Sequence, residues 1–203
     1  MSDRDRIARL KIELDDWQPA IWRRVEVPLT TTLKGLHDVI QAAMPFQDYH
    51  LFEFRAEDRR YAIPNAEWDF EKTWSAKTTR LATLVERGIG ELAYTYDFGD
   101  DWRHTITVES VDEADPAVEY PRFIEGQHRA PPEDVGGLPG FELFLEAIAD
   151  PNHEDHDHLM RWSGGTFDPE TIERDEIRKR VAKLARRRTV GKAAFAKSQN
   201  RIN

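Results

Sequence analysis

The 203-residue chain contains no cysteine. Disulfide bonds, zinc ribbons, iron–sulfur clusters and thiol nucleophiles are therefore excluded by composition. Long apolar runs are also missing, since no window approaches the roughly 18 consecutive apolar residues of a membrane span. The first residues lack the apolar core of a secretory signal peptide. We therefore expect a cytoplasmic protein that does not use a membrane as its partner.

Complete motifs of common enzyme classes are missing as well. The chain has no Gly-x-x-x-x-Gly-Lys phosphate loop and no Gly-x-Ser-x-Gly nucleophile elbow. The triplet Asp97-Phe98-Gly99 matches the magnesium-binding triplet of protein kinases, but the glycine-rich loop and the His-Arg-Asp loop of kinases are not present. These absences disfavour the nucleotide-dependent and serine-dependent enzymes that carry such motifs.

Charge is distributed unevenly along the chain. The formal net charge is −9, but residues 174–203 contain eleven Lys or Arg and only two acids, so residues 1–173 carry −18. An acidic body repels a nucleic-acid backbone, whereas a basic segment can bind phosphates or pair with the acids of the body. Arg174–Lys197 is therefore the candidate interface for nucleic acid or for a protein partner, and pairing with the body is the alternative.

Hydrophobic periodicity predicts strands in the first two thirds of the chain and helices in the last third. Because strands and helices do not alternate regularly, we predict an α+β fold: one domain with a mixed, mostly antiparallel sheet, helices packed on it and a basic C-terminal helix. Apolar periodicity fades beyond Arg188. The domain is therefore predicted to span residues 1–188, and residues 189–203 are expected to form a mobile basic tail.

Individual elements follow from the same pattern. Strands are predicted around residues 10–14, 21–27, 50–54, 61–63, 92–98 and 102–108, and helices over residues 33–44, 81–85 and 141–148. Arg23 falls at an inward-facing position of its strand. Asp168 followed by Pro169 is typical of a helix start, so the last helix is predicted to begin there. Residues 64–78 are predicted to be irregular.

Carboxylates are concentrated at two turns. Asp97, Asp100 and Asp101 lie around the turn of the predicted central hairpin, close to His104. Glu133 and Asp134 lie between two prolines and two glycines, which hold a loop rigid. These carboxylates are candidate ligands for a divalent metal ion, because oxygen ligands with an imidazole nearby suit magnesium, manganese or zinc. In the structural alternative, the acids bind backbone amides of their own turns.

Two histidines are candidate proton-transfer groups. His50 and His104 have a side chain that titrates near neutral pH and can act as an acid or base, although a buried, hydrogen-bonded histidine is the simpler interpretation. The run His153–His158 also has a metal-binding composition, but acidic histidine-rich segments are usually solvated surface.

A third candidate site combines an aromatic ring with two cations. Trp22, Arg23 and Arg24 are suited to binding a carboxylate, a phosphate or a stacked base. The alternative is that Trp22 lies in the core and that an arginine pairs with the acidic body.

Five segments together resemble a known family, and they occur in the following order: Pro19–Arg24, Leu36-His37, His50-Leu51, Tyr96–His104 and Pro131–Gly137. In order and spacing they resemble the plasmid pRiA4b Orf-3-like family, also called insertion-element passenger proteins, over roughly residues 7–185. The resemblance implies an α+β domain on a mixed sheet and an association with mobile genetic elements. It implies no biochemical activity.

Three functional hypotheses remain open at this point. The first is a non-catalytic binding or accessory domain encoded with mobile elements, because no complete catalytic motif is found. The second is a divalent-metal-dependent hydrolase, with nucleic acid as a candidate substrate, which requires the two acidic turns to meet in space. The third is nucleic-acid binding through the basic C-terminal helix.

Overall fold

The computed structural model describes the backbone of residues 6–64 and 71–199, and the side chains of these residues up to Gly191. Its strands are β1 Arg6–Leu14, β2 Trp22–Pro28, β3 Phe52–Ala56, β4 Arg59–Ala62, β5 Thr73–Ser75, β6 Glu91–Tyr96, β7 Trp102–Glu113 and β8 Arg122–Gln127. Its helices are α1 Leu33–Ala43, α2 Leu81–Glu86, α3 Gly137–Ala149, α4 His156–Trp162 and α5 Arg174–Gln199.

The strands form a single sheet in the order β5-β4-β3-β6-β7-β1-β2-β8. Neighbouring strands pair antiparallel except β4 and β5, which run parallel. The predicted α+β class with a mixed, mostly antiparallel sheet is therefore confirmed. None of the helices in the described residues is both long and apolar enough to cross a membrane.

One continuous apolar core lies between the sheet and two helices. Alternate residues of β1 are fully buried, as period-two alternation predicts for a strand with one covered face. Helix α1 adds Leu36 and Ile40 to this core, and α5 adds Ile177 and Val181. The two helices also pack against each other, and α5 contacts β8. The basic helix is thus docked on the domain by its apolar side.

Helix α1 begins and ends where local chemistry predicts. The Thr32 hydroxyl oxygen accepts a hydrogen bond from the backbone N–H of Gly35 at 3.1 Å and so caps the first turn. The helix ends at Ala43, shortly before Pro45, which cannot continue a helical hydrogen-bond pattern.

The start predicted for the last helix was wrong by six residues. Asp168 closes a local turn instead, because its carboxylate accepts from the backbone N–H of Glu170 at 3.0 Å and from the Thr171 hydroxyl. The Pro169 carbonyl accepts from the backbone N–H of Arg129, which ties this turn to another loop. The helix begins only at Arg174 and continues to residue 199, and the predicted boundary at residue 188 stays a prediction.

Two short strands were not predicted. Thr73–Ser75 forms β5 at the sheet edge, within the segment expected to be irregular, of which residues 65–70 lie outside the described residues. Arg122–Gln127 forms β8 at the opposite edge. Both lack a clear apolar alternation, since edge strands need only part of one face covered.

His104 is part of the core. Its Nδ1 lies 3.1 Å from the Trp102 carbonyl oxygen and donates to it, while Nε2 has no hydrogen-bond partner in the described part of the chain. The ring packs near those of Phe46 and Tyr94. Burial, with a smaller contribution from the charge of Arg23, lowers the pKa of His104 to about 4.

This burial predicts an acid-sensitive fold. The pKa of His104 is near 6.5 in the unfolded chain and about 4 in the folded protein. The contribution of His104 to the free energy of unfolding is therefore fully present above pH 6.5 and is lost progressively as the pH falls from 6.5 to 4. Replacing His104→Leu is expected to remove on the order of 3 kcal/mol of this dependence, measured by urea unfolding between pH 7 and pH 4. Identical acid slopes for the two proteins would contradict the neutral, buried assignment.

Candidate metal centre

Strand pairing brings His50 and Asp97 together. Phe52 of β3 pairs with Tyr96 of β6, and the backbone N–H of Asp97 donates to the Leu51 carbonyl at 2.9 Å. His50 precedes β3 and Asp97 follows β6. Because the strands run antiparallel, these two side chains lie at the same end of the sheet.

The rigid loop before α3 supplies the third segment. His50 Nε2 lies 2.8 Å from Asp134 Oδ1, 3.5 Å from Asp97 Oδ2 and 3.7 Å from Glu133 Oε1. The imidazole therefore faces three carboxylates from two different loops. The hairpin turn and the proline-rich loop meet in space, as the metal hypothesis requires.

Glu133 is the most enclosed carboxylate of this cluster, with 6% of its side chain exposed. Its Oε1 accepts from the Tyr96 hydroxyl at 2.5 Å and its Oε2 accepts from the backbone N–H of Gln47 at 2.8 Å. The Tyr96 oxygen in turn accepts from the backbone N–H of Tyr49 at 3.0 Å. Neutral donors thus hold Glu133 in place, and its nearest cationic group is the imidazole of His50, with Arg180 at longer range.

Asp97 and Asp134 occupy unusual backbone conformations. Their φ angles are 56° and 57°, in the left-handed region that aspartate tolerates better than most residues. Asp97 Oδ1 accepts from the backbone N–H of Gly99 at 2.9 Å, which leaves Oδ2 on the side of His50. Asp134 is the outermost of the carboxylates, since 59% of its side chain is exposed.

A close backbone contact locks the two acidic loops together. Asp100 Oδ2 accepts from the backbone N–H of Gly136 at 3.0 Å. Gly137 has a φ of +68°, and a Cβ atom at this position would lie 2.6 Å from the Asp100 carbonyl oxygen. Only glycine allows this approach without displacing the backbone.

The carboxylates change the protonation of the histidine. Partial burial by itself would lower the pKa of His50, but the hydrogen bond to Asp134 and the charges of Asp97, Asp134 and Glu133 outweigh it and raise that pKa above its usual value. For Tyr96, burial and the hydrogen bond to Glu133 raise the pKa. The cluster therefore attracts positive charge, and a proton on His50 is one way to supply it.

The geometry fits a divalent ion. Nitrogen and oxygen ligands lie about 2.0–2.2 Å from tetrahedral zinc, so neighbouring ligand atoms are about 3.3–3.6 Å apart. His50, Asp97 and Asp134 each offer a ligand atom, and these atoms lie within 4.8 Å of one another. Small side-chain movements would bring all three to bonding distance, and Glu133 would join them only by giving up one of its two hydrogen bonds.

A second group of ligand type is less suitable. His37, Asp38 and Asp48 also lie within 4.8 Å of one another. The ammonium of Lys34 already lies 2.7 Å from Asp38 and 3.3 Å from Asp48, and His37 Nε2 lies 2.6 Å from Asp48. A cationic side chain therefore occupies the place that an ion would take.

The other predicted metal ligands have protein partners. Asp101 forms an ion pair with Arg103 at 2.6 Å, and Asp100 binds Gly136 as described above. Among the described residues, no hydrogen bond or ion pair joins His104 to a carboxylate. The structure therefore brings His50 to the acidic cluster, and a proton-transfer role of either histidine stays a prediction.

The predicted arginine–tryptophan site is divided between the two faces of the sheet. Arg23 is buried, whereas Trp22 is partly exposed and lies under the guanidinium of Arg24 at 5.0 Å. Placing Trp22 in the core was therefore wrong, because the inward phase of β2 belongs to Arg23. Arg24 pairs with Glu109 at 2.6 Å and with Glu125, as expected for pairing with the acidic body.

Sequence reasoning missed the supporting role of Tyr96. Its hydroxyl orients Glu133, which is 37 residues away, and only the fold shows this contact. The sequence feature that indicates it is the inward-facing position of Tyr96 at the end of β6, immediately before the acidic turn. The histidine-rich run contributes no metal-ligand group of three among the described residues.

A cavity of about 380 Å³ adjoins the cluster. Glu133 and Asp134 line one side of it, and its other lining residues include Arg23, Arg129, Trp162 and Phe167. An ion at the cluster would therefore lie beside a space of the size that small ligands occupy.

Comparison with known proteins finds a matching family model and similar proteins. A family model described as plasmid pRiA4b ORF-3-like protein matches residues 6–176, which confirms the predicted resemblance. The uncharacterized protein y4hQ of Sinorhizobium fredii (strain NBRC 101917 / NGR234) is 39% identical over 182 residues, covering 88% of this chain and 92% of that protein. The crystal structure of MM3350 from Methanosarcina mazei Go1, a protein of unknown function, is similar with a TM-score of 0.78 and 33% identity, covering 85% and 97% of the two chains.

The contact between the acidic loops can be tested at Gly137. Replacing Gly137→Ala is expected to cost about 3 kcal/mol of unfolding free energy, because a left-handed alanine is strained and its Cβ collides with Asp100. Gly164→Ala is the matched control, since Gly164 also has a positive φ but nothing lies within 4 Å of a Cβ there. The control is expected to lose only about 1 kcal/mol in urea unfolding. Equal losses in the two variants would contradict the close contact.

Proposed function

The chain belongs to the plasmid pRiA4b ORF-3-like family, and we propose that it is a divalent-metal-binding domain with its ion held by His50, Asp97 and Asp134. The observation that carries the proposal is that three ligand atoms, delivered by three separate segments, lie within 4.8 Å of one another. Glu133 lies next to them, and in the described residues its carboxylate forms no ion pair with a lysine or arginine; Arg180 acts on it only at longer range.

The donor set favours particular ions. Imidazole nitrogen suits zinc, iron and nickel, whereas carboxylate oxygen suits magnesium, calcium and manganese. A site with one nitrogen and up to three carboxylates is best matched by zinc or manganese. Magnesium and calcium, which prefer an all-oxygen shell, are expected to bind more weakly.

Binding is favoured over hydrolysis as the role of the ion. A metal-dependent hydrolase commonly places a general base beside the water that its ion activates. In the described part of the chain, His50 is the imidazole that contacts the carboxylates, and the ion would use its nitrogen as a ligand. A binding or accessory domain is also consistent with the relatives, whose descriptions state no activity. The cytoplasmic location and the link to mobile elements stay predictions.

Metal binding can be measured by thermal unfolding of chelator-stripped protein. A site filled at a hundred times its dissociation constant adds about 2.7 kcal/mol, which raises the melting temperature by roughly 5–10 °C for a chain of this length. Zinc and manganese are expected to give this rise and magnesium a smaller one. Asp97→Asn and Asp134→Asn are expected to abolish it, because each removes a charged ligand.

Asp101→Asn is the matched control for these variants. Asp101 belongs to the same turn as Asp97 but pairs with Arg103 instead of His50. The control is expected to keep the full metal-induced rise. A rise that survives in the Asp97 and Asp134 variants, or no rise with any ion, would overturn the proposed metal centre. Reproducible metal-dependent turnover would favour the hydrolase over the binding domain.

A second function, nucleic-acid binding, is favoured by the cations of α5. Within the described side chains, no cation of this helix forms an ion pair with an acid outside it. Four of the exposed cations line one recess next to Val190, namely Lys179, Lys183, Arg186 and Arg187. Because pairing with the body does not occupy them, they are available to contact phosphates of a nucleic acid or an acidic protein partner.

Salt dependence tests this second function. If all four cations contact phosphates, the logarithm of the affinity for a short duplex DNA falls with the logarithm of the salt concentration at a slope of about −3.6. Exchanging the four for glutamine is expected to remove most of this slope in fluorescence anisotropy. The control exchanges four cations near the opposite sheet edge, namely Arg55, Lys72, Lys77 and Arg80. Salt-insensitive binding, or equal loss in the control, would contradict binding by α5.

A further inference from the structure

Arg23 is a buried cation without an acidic partner. Only 1% of the residue is exposed. Its Nε donates to the Ala43 carbonyl at 2.9 Å, and its Nη1 donates to the carbonyls of Trp22 and Gln127 at 2.8 Å and 2.9 Å. In the described part of the chain no carboxylate pairs with it, and no hydrogen bond engages Nη2.

This arrangement is costly for the fold. A buried charge without a counterion loses its hydration, and hydrogen bonds to neutral carbonyls replace that hydration only in part. Burial, together with the nearby charge of Arg174, lowers the pKa of Arg23 to about 9. A leucine or valine at this inward position would avoid that penalty but leave three carbonyl oxygens without their donor, and those carbonyls do not use Nη2.

The position of Arg23 is held firmly. Gly126 of the neighbouring strand leaves room for it, because a Cβ atom there would lie 2.8 Å from Arg23 Cδ and 2.6 Å from the Trp22 carbonyl oxygen. Three carbonyls fix two of the guanidinium nitrogens, so the direction of Nη2 is fixed as well. A preorganised donor of this kind binds an anion with little loss of side-chain entropy.

The cavity of about 380 Å³ connects Arg23 with the candidate metal centre. Arg23 lines one part of it, and Glu133 and Asp134 line another. Arg129 also lines the cavity and is fixed by an ion pair with Glu173 at 3.0 Å and by the ring of Phe167 at 4.5 Å. The cavity thus has cationic and acidic walls at once.

We propose that this cavity binds a small molecule through a terminal oxyanion, either a carboxylate or a phosphate, which accepts hydrogen bonds from Arg23 Nη2. The inference deepens and rests on the proposed function, because a bound metal ion neutralises Glu133 and Asp134 and so removes their repulsion of the anion. The aromatic side chains of Trp162 and Phe167 then contact the less polar part of the ligand.

The experiment uses methylphosphonate and acetate as probes of the two oxyanion types. The melting temperature of the full chain is measured with each probe, with and without manganese, against sodium chloride of equal ionic strength. With manganese bound, a probe at ten times its dissociation constant is expected to add about 3–6 °C. A larger rise with one probe identifies a phosphate or a carboxylate as the preferred group.

Two variants locate the bound probe. Arg23→Lys is expected to remove the added rise, because a lysine cannot keep three carbonyl contacts and a free donor together. Arg24→Lys is its matched control, since the neighbouring Arg24 pairs with Glu109 and lies outside the cavity lining. Ser163→Trp fills the cavity without changing Arg23 and is also expected to remove the rise, which keeps the test decisive if the Arg23 variant does not fold.

The outcomes separate the two proposals. A manganese-induced rise with no further effect of either probe would overturn the oxyanion site and leave the metal centre standing. A probe effect that survives Ser163→Trp would place the anion elsewhere and also overturn the inference. A rise in melting temperature that a probe gives without manganese, and that Ser163→Trp removes, would support the oxyanion site. If manganese itself does not change the melting temperature, the metal centre alone is overturned.

Discussion

The antiparallel pairing of β3 with β6 is the constraint on which the candidate site depends. It sets Phe52 opposite Tyr96, and the backbone hydrogen bond from Asp97 to the Leu51 carbonyl extends the pairing by one residue. A shift of this pairing by one residue would turn the inward aromatic rings to the other face of the sheet. The cost of exposing those rings therefore fixes the position of His50 beside Asp97.

A second constraint brings the proline-rich loop to this end of the sheet. The carboxylate of Asp100 binds Gly136, and the absence of a side chain at Gly137 lets the two backbones touch. Glu133 is then held by one hydroxyl and one amide donor, both neutral. The loops are thus joined by contacts that leave a negative charge in an enclosed place, which is the condition under which a cation binds well.

Charges of both signs lie along one cavity. In the described residues, Glu133 and Asp134 form no direct ion pair with a lysine or arginine and buried Arg23 forms none with a carboxylate, although all three line the same space. Burying either charge alone costs free energy, and pairing them directly would be the simplest remedy. The protein keeps them apart by fixing each with neutral backbone or hydroxyl groups. An ion at one end and an oxyanion at the other would satisfy both, and this connects the two proposals.

The α+β class, the inward position of Arg23 and the family follow from the order of the residues, because alternation and turn composition are local properties of the chain. The two acidic loops are recognisable in the same way. That His50 reaches the carboxylates, that His104 lies in the core and that Asp101 pairs with Arg103 is visible only in the folded chain. These outcomes depend on strand register and on contacts between residues far apart in the chain, and hydrophobic periodicity does not encode which loops meet at one end of a sheet.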